Sequence, residues 1–215
     1  MESTLELSSK RTAPVLITTV IVGTTLLLLN IFRWTLVEWL TPFIEPLLEL
    51  IVSAAFFGVT VWALVYFIRK RRSKGALRSV TPLAINLLVL AIVIFVPFTR
   101  IAIMLDFRWR LEKRTEVVNA VMDGKMDIAQ RGGRGDLIRL PVKYQGLSAD
   151  GDEIMMTKRD QHVFIFFFSY RGILDSFSGF VYSTDNAKPE NGDFGGNFIE
   201  VEQLRPNWYW AASRN

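Results

Sequence analysis

Few of the side chains that carry out covalent chemistry are present, and fewer are spaced to act together. The 215-residue chain has one histidine, His162, and no cysteine. A single imidazole excludes sites built on two histidines. The absence of thiols excludes a disulfide framework, thiolate metal sites, Fe–S clusters and a Cys nucleophile. His162 follows Asp160 at the start of the apolar run "QHVFIFFFSY". A general base or a pH sensor would use a histidine in this way. A strand-end histidine closing a turn needs nothing more, and no second histidine or clear nucleophile accompanies it. No P-loop, dinucleotide-binding glycine motif, H-E-x-x-H or G-x-S-x-G occurs. No sequence feature pairs two carboxylates in an apolar pocket, as glycoside hydrolysis requires. The expectation is a non-enzyme without a cofactor.

Two groups of side chains suit binding better than catalysis. The first is "STDNAKPENGDFGGN", where Asp185, Asn186, Glu190, Asn191 and Asp193 offer oxygen ligands. A hard cation such as Ca²⁺ takes six to eight oxygens. The spacing is not that of an EF-hand and Pro189 interrupts it, so a long polar hairpin loop is the plainer reading. The second group is "NWYW", with Trp208, Tyr209 and Trp210. On a strand, Trp208 and Trp210 share one face and Tyr209 takes the other. They suit a platform for a sugar or peptide, a contact with a membrane surface, or one end of a core. Asp185, Asn186, Asp193, Trp208, Tyr209 and Trp210 are therefore the candidate ligand- or partner-binding residues. The triplet Arg134-Gly135-Asp136 is too short to carry information.

The elements that position these groups follow from where the apolar residues lie. Half of the chain is hydrophobic, and most of that half falls in residues 1–105. "PVLITTVIVGTTLLLLNIF" has no charge, and "LLELIVSAAFFGVTVWALVYFI" has one, Glu49. "PLAINLLVLAIVIFVPF" is followed by Thr99-Arg100 and "IAIML". About 20 apolar residues cross the ~30 Å hydrocarbon core as a helix. Three spans are predicted, at about 14–32, 47–68 and 82–105, with Arg100 reaching up to the headgroups. No ionisable residue lies mid-span, which argues against a pump or transporter. Asn86 and the small residues Ser53, Ala54, Ala55 and Gly58 suit helix–helix packing.

Charge sets the expected orientation. Arg69, Lys70, Arg71, Arg72, Lys74 and Arg78 crowd the loop between the second and third spans, with no acid among them. The positive-inside rule places that loop and the N-terminus in the cytoplasm, and residues 106–215 outside it. These six are the membrane-orientation residues; contact with anionic lipid is a sharper role they could take. The outer loop "RWTLVEWLTPFIEP" carries Trp34, Trp39 and Phe43 and suits a helix lying in the interface. The net charge of +4 and a pI near 9.5 would suit nucleic acid. Its distribution does not. Residues 1–105 hold ten Lys and Arg against five Glu, a net of +5, whereas residues 106–215 hold fifteen against sixteen acids, a net of −1.

Residues 106–215 read as a second domain. "DFRWRLEKRTEVVNAVMDGKM" has helical spacing through Phe107, Leu111, Val118, Val121 and Met122 and stops at Asp123-Gly124. That helix either continues the third span or joins it through a short kink. "DLIRLPVKY", "EIMMTKR", "QHVFIFFFSY", "DSFSGFVYS", "NFIEVEQL" and "NWYWAAS" read as strands. "QHVFIFFFSY" is apolar on both faces and belongs mid-sheet. Gly179 inside a strand suggests a bulge or a close approach by another chain. The fold class is thus a three-span α-helical membrane domain followed by a small α+β domain, with one helix and a five- to six-stranded, mainly antiparallel sheet.

At "RGILDSFSGFVYSTD" and "NWYW" the chain resembles uncharacterised bacterial, often cyanobacterial, membrane-anchored proteins over about its last 50 residues. That resemblance implies no known activity. The helix-then-sheet order is similar in outline to pilin-like proteins. Those have a single N-terminal span after a processing site, neither of which is found here, so their function is not carried over. The expected protein is a multi-pass protein of a bacterial inner membrane, presenting an extracytoplasmic module that binds a ligand or another envelope or membrane protein. Its role would be accessory, sensory or immunity-type. A structural subunit interacting through its spans is the first alternative. A membrane-surface enzyme using His162 with nearby acids is the second.

Overall fold

The computed structural model describes residues 2–70, 72, 76–126, 136–172 and 176–214, with side chains for all of these except 2–13, 34–35, 37–43, 76–78, 136 and 150. Arg71, Lys74, the loop around Arg134 and the segment Ile173–Asp175 lie outside the described residues, as do the side chains of Trp34, Trp39, Phe43 and Arg78. The chain forms two compact units, Met1–Met104 and Leu105–Asn215.

The first unit is helical: α1 (Glu2–Ile31), α2 (Arg33–Lys70), α3 (Ala76–Phe95) and the start of α4 (Phe98–Met122). Two stretches, Pro14–Ile31 and Ile44–Lys70, are long and apolar enough to cross a membrane. A third exists if Ser79–Phe95 and Phe98–Met122 count as one broken span. The helix is interrupted within the expected third span, 82–105. α3 stops at Phe95, and α4 departs at 57° after the break. Pro97 explains the break, because it has no N–H to donate and its ring clashes with the preceding turn.

α1, α2 and α3 meet around Leu26, Phe56 and Val89, with Val22, Val52, Ile85 and Val93 packed beside them. Gly23 permits this approach, since a Cβ there would stand 3.2 Å from a Val89 methyl. Asn86 points into the bundle at 1% exposure, and its amide makes no hydrogen bond among the described residues. Arg33 pairs with Glu45 at 3.0 Å and Glu49 at 3.2 Å. Twelve residues of straight helix rise about 18 Å, too far for a contact of that kind. α2 therefore bends between Arg33 and Glu45, and its first turns are not part of the span that starts at Ile44.

The second unit is a six-stranded antiparallel sheet: β1 (Asp136–Arg139), β2 (Glu153–Arg159), β3 (His162–Arg171), β4 (Phe177–Ser183), β5 (Phe198–Arg205) and β6 (Trp208–Ser213). The short helix α5 (Ala149–Asp152) leads into β2. The order across the sheet is β1-β2-β3-β4-β6-β5, so β6 is inserted between β4 and β5. Asp160 and Asn207 take positive φ at the tight β2–β3 and β5–β6 turns, a conformation that Asp and Asn tolerate better than most residues.

Each face of the sheet has its own cover. On one, Phe107 of α4 stacks on Phe180 at 5.5 Å and meets Trp208 edge-on at 5.8 Å. Val117, Val118 and Val121 of the same helix are buried. On the other, Phe164, Phe166, Phe168, Val181, Tyr209 and Ala211 form a cluster closed by Phe194. β3 supplies both faces, as its doubly apolar pattern requires. Gly179 lies opposite Phe168, where the β3–β4 register shifts. A Cβ at 179 would collide with the Phe167 carbonyl and the Phe166 ring. The close approach is thus by the neighbouring strand of the same chain.

Candidate functional site

The loop from Thr184 to Asn197 joins β4 to β5 and lies over the Phe166 face. Phe194, at 4% exposure, anchors it with its ring 5.1 Å from that of Phe166. The polar residues around it are mostly occupied by the fold. Asp193 is 7% exposed and accepts hydrogen bonds from Arg159 at 2.7 Å and from the Glu190 amide at 2.9 Å. Arg159 also donates to the Lys188 carbonyl at 2.9 Å. The Asn186 side-chain oxygen accepts from Gln203 and from the Asn207 amide, both at 2.7 Å. The Tyr209 hydroxyl donates to the Asn186 carbonyl at 2.7 Å. The Asn191 side chain accepts from the Phe198 amide at 2.8 Å.

These bonds explain why the oxygen-rich loop is not built as a cation cage. Asp193 and Asn186, two of the candidate binding residues, accept hydrogen bonds from protein donors. No group of three or more metal-ligating side chains occurs among the described residues. Asp185 points outward, with its side chain 76% exposed and 3.7 Å from Nδ1 of His162. Asp185 and Asn186 both take positive φ, which fixes the turn that presents them.

Trp208, Tyr209 and Trp210 are 3%, 4% and 4% exposed. They are core side chains, so an accessible aromatic platform is not formed. The reason is the inserted position of β6, which has a strand on either side and a covered face above and below. "WYWAA" carries the signal for this, being apolar at consecutive positions as β3 is. Burial also raises the Tyr209 hydroxyl above its ordinary pKa.

Two charged groups that the sequence did not single out have defined roles. Arg114 on α4 is 1% exposed, bonds the Asp106 carboxylate at 2.6 Å and lies 4.1 Å over the Phe180 ring. Arg159 clamps the loop and stands 4.8 Å over Phe164. Lys143 holds the Glu116 carboxyl below its usual range by a hydrogen bond and by its charge. Of the orientation residues, Arg69 and Lys70 form the last turn of α2.

What remains outward-facing is a polar surface of Asp185, Lys188 and Glu190 on the loop, with Ile199 and Glu200 exposed on the edge strand β5. Such a surface can recognise a partner by charge and hydrogen bonding. No protein family, curated relative or solved structure matches the chain.

Proposed function

We propose that this is a non-catalytic, multi-pass protein of a bacterial inner membrane, whose α+β unit is an extracytoplasmic binding module. The N-terminus and the basic loop face the cytoplasm in this reading. The role is accessory, sensory or immunity-type, and the partner is another envelope or membrane protein or a small envelope ligand. The observation that carries the reading is the pinned 184–197 loop. Its buried residues fix its backbone, which lowers the ordering cost of presenting its exposed ones, Asp185, Lys188 and Glu190. The net charge of −1 over residues 106–215 disfavours nucleic acid.

Site-specific photocrosslinking in intact cells separates this reading from a structural subunit that works through its spans. Crosslinkers at positions 188 and 200 test the module, those at 57 and 94 test the spans, and position 125 is a control on the same unit as the loop. Discrete adducts at 188 or 200 and none at 125 are expected. Discrete adducts at 57 or 94 alone would favour the structural subunit.

A further inference from the structure

Trp109 is the most exposed large hydrophobic side chain among the described residues, at 91%. Leu105, at 59%, and Ile101, at 45%, precede it at four-residue steps on α4. That spacing places all three on one face of the helix. The opposite face is committed, since Phe107, Arg114, Val117, Val118 and Val121 are buried. The exposed stripe follows Ile94 and Phe95, which are 64% and 81% exposed at the end of α3. It therefore follows directly on an apolar helix in the chain. The exposed Arg108 stands beside Trp109.

Tryptophan with a neighbouring arginine is the pairing favoured where hydrocarbon meets water. The order along the chain points to the same place: Ile101 lies six residues beyond Phe95, the end of an apolar helix, and Trp109 about two turns further on.

We propose that the Ile101–Leu105–Trp109 face of α4 is seated in the lipid–water interface of the membrane that the preceding helices cross. Trp109 is the anchor, and the ligand is the glycerol and headgroup region of the bilayer. The proposal rests on the membrane reading above, and its test distinguishes the two.

The cysteine-free chain permits single-site spin labelling of the whole protein. Phe57→Cys, Leu105→Cys and Val142→Cys each replace a side chain that is more than half exposed, so none removes a core contact, and all three keep Trp109. Nitroxides are attached in detergent and the protein is reconstituted into phosphatidylcholine vesicles. Collision with oxygen then reports lipid, and collision with a water-soluble nickel chelate reports water. The expected result is position 57 reached by oxygen, 142 by nickel, and 105 between them at headgroup depth. Position 105 matching 142 while 57 stays in lipid would overturn the anchor alone. Position 105 shielded from both reagents would mean a protein contact, a second copy included, and would also overturn it. Position 57 reached by nickel as freely as 142 would overturn the membrane reading and the anchor with it.

Discussion

Arg114 pairs with Asp106 on its own helix while lying over the Phe180 ring, so one buried guanidinium joins α4 to the sheet. The guanidinium is 1% exposed, whereas the carboxylate it bonds is 29% exposed. Removing the carboxylate strands a buried cation, and removing the arginine leaves an anion that water can still reach. Asp106→Ala should cost about 3–5 kcal/mol of stability, the usual result of breaking a buried pair from one side. Arg114→Met should cost less, and the double variant less than the sum, by chemical denaturation in detergent followed by near-UV circular dichroism. Equal single costs that add would mean the pair is not coupled. Tyr209 gives a pH-dependent case. Its folded pKa is raised by burial, so the folded state keeps the proton when the unfolded chain loses it. The contribution is complete below the ordinary tyrosine value of about 10 and is lost as pH rises through the folded value. Tyr209→Phe should lose about 1 kcal/mol at neutral pH, for its bond to the Asn186 carbonyl. It should also show a shallower loss of stability above pH ~10 than the parent.

At the scale of elements, the loop and the strands that hold it form one device. Asp193 joins Arg159 of β2 to the Glu190 amide, so Asp193→Asn should loosen the loop without unfolding the sheet. A loss of about 2 kcal/mol is expected for bonds to a charged acceptor. Amide exchange at residues 190–196 should then quicken by roughly 30-fold, while Phe166 and Val181 stay protected. Uniform loss of protection across β3 and β4 would show that the loop is not a separate unit. Most strands were legible because alternation and turn residues mark them: "EIMMTKR" coincides with β2, and "NFIEVEQL" falls within one residue of β5, whereas "DLIRLPVKY" is a strand only over Asp136–Arg139, since Pro141 is followed by a 3-10 turn at Val142–Tyr144. The sheet order was not legible, since nothing local states that β6 pairs with β4 as well as β5. That non-local pairing is what buries Trp208 and Trp210. The break at Pro97 was written in the sequence, but a long apolar run on both sides of it masked the signal. Arg114 and Arg159 were hidden for a different reason. A charged side chain reads as surface until its partners, Asp106 and Asp193, are placed beside it.

At the scale of the whole molecule, the basicity that would suit nucleic acid divides into a membrane half of +5 and a module near neutrality. In the proposed reading the six basic residues between 69 and 78 are the orientation signal, and the 184–197 loop is the surface offered to a partner. That assignment stands or falls on which side of the membrane each lies. Lys74→Cys and Lys188→Cys in the cysteine-free chain test it directly with a membrane-impermeant maleimide on intact cells. Lys188 is exposed, so the label there does not disturb the core. Labelling is expected at 188 in intact cells and at 74 only after permeabilisation. Labelling at 74 with protection at 188 would reverse the proposed topology and overturn the extracytoplasmic module.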